Sequence, residues 1–231
     1  MTDAAAVATV ARALGDVSRA GMCLAMLDGM AWTVSELATV ARVSVSTASE
    51  HVTRLVQVGL VTESRQGRCR YVQLASAEVA EALEQLTSLT RPAAPNSLRA
   101  VSERRRLAAA RTCYDHLAGR LGVTVLDTFV SNGTVRSSGG LALTRSGRAW
   151  FAEQHIDVDA LESQRRPLVR ECVDWTERRP HLAGSLGAAV CTLFVEREWV
   201  RRTTGSRALA VTPLGQRGMR DVLGIDPSAL R

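Results

Sequence analysis

The chain has 231 residues, with 29 basic and 23 acidic side chains, a net charge of +6 and a pI near 9.7. A basic balance of this kind suits a polyanionic partner such as nucleic acid. No apolar run reaches the roughly 18 residues that a membrane span requires, and no basic signal segment opens the chain. We therefore expect a cytoplasmic protein with no membrane partner. The five cysteines have no CxxC spacing, which favours reduced thiols over a disulfide framework.

Two helices are predicted at the start of the chain. Residues 4–14 and 17–29 carry apolar side chains at helical spacing, and Asp28-Gly29 ends the second segment. Both helices belong to a first domain that we place at residues 1–90.

A helix-turn-helix is predicted next. Thr33 has the features of a helix N-cap, and Glu36 three residues later completes a capping box. After a tight turn, Ser44 is predicted to cap a second helix over residues 45–58, which Gly59 ends.

The second helix and the segment after it have the pattern of a DNA-binding module. Ala48, Val52 and Leu55 form an apolar stripe, and a basic hairpin follows over 60–63 and 70–74. A helix-turn-helix followed by such a wing places its second helix in the DNA major groove. The predicted DNA-binding residues are the polar side chains of this helix and the arginines of the hairpin: Ser44, Ser46, Thr47, Ser49, Glu50, His51, Arg54, Arg65, Arg68 and Arg70.

The same segment resembles the winged helix-turn-helix of bacterial ArsR-type regulators. The similarity lies in Val43-Ser-Val-Ser-Thr-Ala-Ser-Glu-His-Val52, in Val58-Gly-Leu-Val61 and, upstream, in Ala11-Arg-Ala-Leu-Gly-Asp-Val-Ser-Arg19. The resemblance implies a homodimeric repressor that binds a pseudo-palindromic operator in double-stranded DNA and leaves it when an effector binds. The chain departs from the family pattern at Val45 and Glu50, two positions that bear on which bases are recognised.

The first domain is predicted to end with a helix and a linker. Residues 76–90 carry another apolar stripe, and the Pro-rich segment that follows indicates a linker over 91–100. In the family that this chain resembles, the first and last helices of the domain pair across the dimer axis.

An internal repeat fills residues 101–231. The segments 116–122 and 181–187 agree at six of seven positions, and farther along 141–147 also matches 209–215 at several positions. Each copy is predicted as a helix, a short wing-like hairpin and a second helix. Neither copy has a Ser/Thr-rich helix ahead of its hairpin, which indicates a sensing or interaction domain and not a second DNA-binding module.

Each copy of the repeat also contains a cysteine, an aspartate two residues later and the shared histidine. Similar Cys-Tyr-Asp-His-Leu-Ala-Gly strings occur in longer ArsR-type regulators. The candidate effector or metal residues are Cys113, Tyr114, Asp115, His116, Cys172, Trp175, Arg178 and His181.

Three interpretations of these residues remain open. The two cysteines and two histidines would suit zinc or a soft metal, because Cys113 and His116 would share a helix face. The aromatic and arginine residues, including Arg179, would suit a small organic effector in a cleft between the copies. The third interpretation is a set of buried structural cysteines and hydrogen-bonded histidines. The family's better-known metal patterns are absent from the 33–41 and 76–90 helices, and no cofactor is required.

The chain shows no phosphate-binding glycine loop, zincin motif or nucleophile elbow, so we do not expect an enzyme. We expect a sequence-specific transcriptional regulator that associates with the nucleoid when bound to DNA. The alternatives are a metal- or thiol-responsive sensor and a non-specific architectural DNA-binding protein. The expected fold is mainly α with small β-hairpins (α+β): a winged helix-turn-helix at 1–90, a linker at 91–100, and repeats at about 105–160 and 168–231.

Overall fold

The computed structural model describes residues 3–67, 69–90, 97–203, 206–226 and 228. The chain divides into two compact units, Met1–Glu84 and Gln85–Arg231. Among the described residues, no helix is long and apolar enough to cross a membrane.

The N-terminal unit is a set of helices with a three-stranded antiparallel sheet. Its elements are α1 (Ala4–Leu14), α2 (Val17–Ala25), β1 (Trp32–Thr33), α3 (Val34–Ala41), α4 (Val45–Gln57), β2 (Val61–Gln66), β3 (Cys69–Leu74) and α5 (Ala77–Leu89), the last of which continues past the unit boundary. The predicted winged helix-turn-helix is confirmed. The second helix ends earlier than predicted. It was expected to run to residue 29, but α2 ends at Ala25 and a 3-10 turn follows over Met26–Asp28.

Local capping explains where α3 and α4 begin. The Thr33 hydroxyl accepts the Glu36 backbone N–H while the Glu36 carboxylate accepts the Thr33 N–H, which is the predicted capping box. Ser44 accepts the Thr47 N–H at 3.1 Å and starts α4. Between the two helices, Arg42 adopts a left-handed conformation that turns the chain.

The wing is the β2–β3 hairpin, and β1 pairs with the other edge of β3. Val61 lies opposite Leu74, and Gln66 lies opposite Cys69 at the tip. Val61, Val72 and Leu74 are buried, whereas the outer part of β2 is exposed. The wing therefore packs at its base and extends into solvent beyond it.

The C-terminal unit contains α6 and two copies of one sequence of elements. The helix α6 (Leu98–Ala109) begins inside the segment predicted as a linker, because Ser97 caps it by accepting the Ala100 N–H. Residues 91–96 lie outside the described residues.

The first copy is β4 (Arg111–Cys113), β5 (His116–Ala118), α7 (Gly119–Ser131), β6 (Val135–Arg136), β7 (Ala142–Leu143), α8 (Arg145–Glu153) and α9 (Val158–Glu162). The second copy is β8 (Arg170–Val173), β9 (Pro180–Ala183), α10 (Gly184–Glu196), β10 (Val200–Arg202), β11 (Leu209–Val211) and α11 (Pro213–Gly218), which is followed by a π-helical turn over Met219–Leu223.

The repeat has one hairpin more than the sequence indicated. The predicted order of helix, hairpin and helix is present in each copy, but the β4–β5 and β8–β9 hairpins precede it. These strands are three or four residues long, which is too short for alternation of apolar and polar residues to show.

The two copies pack closely against each other at their hairpins and first helices. Helix α7 packs on β9 of the second copy, and α10 packs on β5 of the first. A Cβ at Gly122 would lie 2.4 Å from the Leu117 carbonyl oxygen and 3.4 Å from the Cβ of His181. The equivalent Gly187 stands in the same relation to Leu182 and His116. One core, which includes Leu121, Phe129, Leu186 and Phe194, runs through both copies.

We expect the Gly187→Ala substitution to destabilise the C-terminal unit by about 1–3 kcal/mol, because the new methyl group has no space at the junction. Denaturant unfolding followed by tryptophan fluorescence measures this unit, since three of the four tryptophans (Trp150, Trp175 and Trp199) lie in it. The control is Gly21→Ala in α2 of the N-terminal unit, where, apart from the backbone of its own helix, no described atom lies within 4 Å of the added Cβ. Circular dichroism, which follows both units, measures the unfolding of this variant. A loss of stability in the control as large as in Gly187→Ala would contradict the packing argument.

Candidate functional site

The exposed face of α4 is a candidate nucleic-acid interface. Ser46, Glu50 and Arg54 are exposed and recur every four residues, so they share one face of the helix. The opposite face is buried through Ala48, Val52 and Leu55, as predicted. Ser44 is also exposed, but its hydroxyl caps the helix and contacts the hydroxyls of Ser46 and Thr47.

One predicted DNA-binding residue of α4 faces the interior of the unit. His51 is half-buried, with Nδ1 3.4 Å from the Arg19 guanidinium and Nε2 3.9 Å from the Asp16 carboxylate. Arg19 also donates to the backbone oxygens of Ala13 and Arg12. His51 therefore holds α4 against α2.

The wing arginines have different environments. Arg70 forms an ion pair with Glu63 and donates to the Ser49 hydroxyl at 3.0 Å, so it ties the wing to α4. Arg65 is exposed on β2. Arg68 lies outside the described residues. Ser49 and Arg70 thus contact each other, while Arg65 extends into solvent.

A cluster of two cysteines and two histidines lies where the two copies of the repeat meet. Cys113 is the cross-strand partner of His116 in the β4–β5 hairpin, and Cys172 is the partner of His181 in β8–β9. The expectation that Cys113 and His116 share a helix face is wrong: a hairpin register brings them together. All four are buried, and one potential ligand atom from each lies within 4.8 Å of the others.

The cluster has approximate two-fold symmetry. The sulfur atoms of Cys113 and Cys172 are 3.9 Å apart, and the rings of His116 and His181 stack with centroids 5.1 Å apart. Each copy therefore supplies one sulfur and one imidazole to the same small volume.

Two carboxylates flank the cluster, one from each copy. The Asp115 carboxylate lies 3.1 Å from Nδ1 of His116 and pairs with Arg166. The Asp174 carboxylate lies 3.7 Å from Nδ1 of His181. Both aspartates follow the cluster cysteine of their copy by two residues, as noted in the sequence.

Asp174 is held by a buried network that the sequence analysis missed. Its Oδ2 accepts from the Arg111 guanidinium at 2.9 Å and from the Gly119 N–H at 2.6 Å, and both charged side chains are fully buried. Burial opposes ionisation, but the Arg111 charge and a hydrogen bond from Thr176 hold the pKa of Asp174 at about 2. The pattern Arg-x-Cys-x-Asp occurs in both copies, beginning at Arg111 and at Arg170, and it is the signal that could have indicated this network.

The environments of the buried thiols differ. A hydrogen bond with Cys113 lowers the pKa of the Cys172 thiol despite the opposing effect of burial. Burial raises the pKa of Cys191, in the same unit but outside the cluster, to about 11. Among these thiols, the cluster is therefore the place where a thiolate is stabilised.

The other predicted effector residues lie beside the buried network and at hairpin turns. Trp175 packs against the Arg111 guanidinium, which lies 4.9 Å from its ring centroid. Tyr114 and Arg178 occupy hairpin turns with positive φ angles of 59° and 53°, and Arg178 is exposed. The segments of His116 and His181, which were expected to form the walls of a cleft, are instead buried in a packed junction between the copies. A cavity of about 490 Å³ does lie between the copies, but its lining comes from residues 154–161 of the first copy and 189–197 of the second.

Comparison with known proteins shows the family. No protein-family model matches the chain. An uncharacterized HTH-type transcriptional regulator of Bacillus subtilis (strain 168), YdfF, is 35% identical over 211 residues, which cover 91% of this chain and 93% of the relative. The chain belongs to the family of HTH-type transcriptional regulators. This relationship confirms the prediction of a regulator and not an enzyme, and a match of that length includes most of the C-terminal unit.

Several solved structures are similar to part of the chain. Reduced HlyU from Vibrio cholerae is 26% identical and covers 38% of this chain and 92% of its own, with a TM-score of 0.34. A homodimeric winged helix-turn-helix domain from Mycobacterium bovis, from a possible ArsR-family regulator, is 26% identical. The match covers 38% of this chain and 84% of that domain, with a TM-score of 0.34. The cadmium sensor CmtR from Mycobacterium tuberculosis is 29% identical. The match covers 39% of this chain and 99% of CmtR, with a TM-score of 0.31.

We expect Asp174→Asn to destabilise the C-terminal unit by about 3–5 kcal/mol, because it leaves the buried Arg111 charge without its carboxylate. The matched control is Asp127→Asn, which removes an exposed partner of Arg179 and should cost less than about 1 kcal/mol. Thermal and denaturant unfolding of both variants measures the difference. Equal stabilities would show that the buried pair contributes no more than a surface pair.

Proposed function

We propose that the protein is a homodimeric repressor that binds a pseudo-palindromic operator and is released from it by an effector bound to the C-terminal unit. It would act in the cytoplasm, on nucleoid DNA. The observation that carries the proposal is the exposed polar face of α4 beside a wing that extends into solvent. In a dimer, two such helices would enter successive major grooves about one turn apart.

The side chains of α4 and the wing divide into contacting and positioning residues. Ser46, Glu50 and Arg54 are the exposed side chains that would reach base edges or phosphates. Arg65 would contact the DNA backbone beside the groove. Arg70 would act indirectly, because its guanidinium already holds the wing to α4.

Exposed apolar side chains support the homodimer. Val7 of α1 is 60% exposed, and Leu86 and Leu89 of α5 are 50% and 82% exposed. The first and last helices of the domain are the ones that pair across the dimer axis in the family that the sequence resembles. Apolar side chains exposed on such helices are typical of a protein–protein interface.

Release from DNA would require coupling between effector and operator binding. An effector bound to the C-terminal unit would act by favouring a spacing of the two α4 helices that does not match the operator. A cavity of about 490 Å³ between the two copies, lined in part by His155, Leu193 and Arg197, supports an effector site in that unit.

We expect Arg65→Ala to weaken binding to all DNA sequences and to reduce the slope of log K against log salt by about one per subunit, because a phosphate contact is lost. Operator sequences selected from a random DNA pool by the wild-type protein provide the ligand, and fluorescence anisotropy at several salt concentrations provides the slope. Arg201→Ala is the control, because it removes the same charge from an exposed site in the C-terminal unit.

Two results would count against this assignment. An unchanged slope in Arg65→Ala would remove the wing from the contacts. A selection that enriches no sequence would favour the alternative, a non-specific architectural protein.

We expect Leu89→Glu to convert the dimer into a monomer at micromolar concentration, because a carboxylate would be buried in an apolar interface. Sedimentation velocity measures the mass, and operator affinity should fall with it because half-sites are then bound singly. Leu214→Glu, at a 45% exposed position of α11, is the control and should remain dimeric. A wild-type protein that sediments as a monomer at these concentrations would overturn the proposed dimer.

A further inference from the structure

We propose that Cys113, His116, Cys172 and His181 form a closed binding site for one thiophilic divalent cation, of which zinc(II) fits best. Two thiolates and two neutral imidazoles are a preferred ligand set for zinc. Together they would balance the charge of the cation inside the unit. The proposal concerns metal binding by the C-terminal unit alone and does not depend on the dimer or the operator.

The geometry of the cluster matches a tetrahedral ion. With Zn–S bonds of about 2.3 Å, two sulfur ligands of a tetrahedron lie about 3.8 Å apart. The sulfurs of Cys113 and Cys172 are 3.9 Å apart, whereas a disulfide bond requires about 2.05 Å. The imidazoles of His116 and His181 approach the sulfurs, so that all four ligand atoms lie within 4.8 Å of one another.

The histidine nitrogens point to a missing ligand. Within the part of the chain that the structure describes, Nε2 of His116 and both ring nitrogens of His181 are buried without a hydrogen bond of ordinary geometry, and the Cys172 thiol is close enough to interact with both rings. Buried polar atoms of this kind are normally satisfied, so an unmodified apolar core does not account for them. A metal ion would occupy the volume between these nitrogens and the sulfurs.

The carboxylates complete the usual environment of zinc-bound histidine. Zinc-binding histidines commonly present their second ring nitrogen to a carboxylate, which orients the ring. Asp115 lies at Nδ1 of His116, which leaves Nε2 for the metal, and Asp174 lies near Nδ1 of His181. The same arrangement therefore appears once in each copy of the repeat.

Burial indicates what kind of site this is. The four ligand residues are at most 5% exposed, and each copy contributes two of them. A site with four protein ligands and no solvent access has no position for a substrate, unlike a catalytic zinc site. The ion would instead join the two copies at their hairpins.

The metal content of the protein tests the proposal. The full chain is purified without a metal-affinity step under reducing conditions, dialysed against zinc and then gel-filtered. Native mass spectrometry and elemental analysis should show one zinc per chain. Cys113→Ser and His181→Ala should lose it, whereas Cys191→Ser, at a buried cysteine outside the cluster, should keep it.

Two further variants separate ligation from a folding defect. His181→Cys should retain one zinc, because a thiolate can replace an imidazole in such a site. Asp115→Asn should keep all four ligands but bind zinc about 10–100-fold more weakly in a chelator competition, because the carboxylate that positions His116 is lost. Asp159→Asn, which changes an exposed carboxylate paired with Arg148, should bind as the wild type does.

Cobalt(II) provides a readout that needs no variant. The apo-protein with one cobalt ion should show the intense visible bands of tetrahedral coordination and the near-ultraviolet band of thiolate ligation. Three outcomes would overturn the proposal: no uptake of zinc or cobalt by the reduced wild-type chain, a zinc ion that survives loss of Cys113, or a Cys113–Cys172 disulfide that stays intact when zinc and a thiol reductant are both present. None of these readouts involves DNA, so they fail or succeed separately from the proposed repressor function.

Discussion

The absence of a side chain at two equivalent helix positions determines the architecture of the C-terminal unit. Gly122 and Gly187 let α7 and α10 lie directly on hairpin backbone, with carbonyl oxygens where a Cβ would otherwise be. The same two glycines bring each helix to the histidine of the other copy. The shared core, the stacked imidazoles and the adjacent sulfurs all require this close approach. Larger residues at these two positions would move the copies apart and would also move apart the cysteines and histidines of the cluster.

The sequence predicted the N-terminal unit better than the C-terminal unit for physical reasons. The helices α3 and α4 are specified by local signals, namely the caps at Thr33 and Ser44 and the apolar spacing between them. The hairpins of the repeat have strands too short for a periodic signal, and their pairing depends on contacts between the copies. The sequence therefore identified the cysteines and histidines of the cluster but assigned the wrong local structure to the first pair.

Partners that come from distant segments were the hardest to predict. The repeated Arg-x-Cys-x-Asp pattern marks Arg111 and Asp174, but it does not pair them, because the ion pair forms only when the two copies fold against each other. In the same way, α4 showed polar residues at helical spacing, but only the fold distinguishes His51, which contacts α2, from Glu50, which is exposed. A polar face read from the sequence thus includes both residues that face a ligand and residues that secure the helix.

The two-fold symmetry lies within one chain, so it need not be exact. The two subunits of a homodimer have one sequence, whereas the two halves of this unit can carry different residues at equivalent positions. The flanking carboxylates show this difference, because Asp115 pairs with Arg166 of the segment between the copies whereas Asp174 pairs with Arg111 of the opposite copy. A single chain therefore permits two halves with the same fold to give their histidines different electrostatic surroundings.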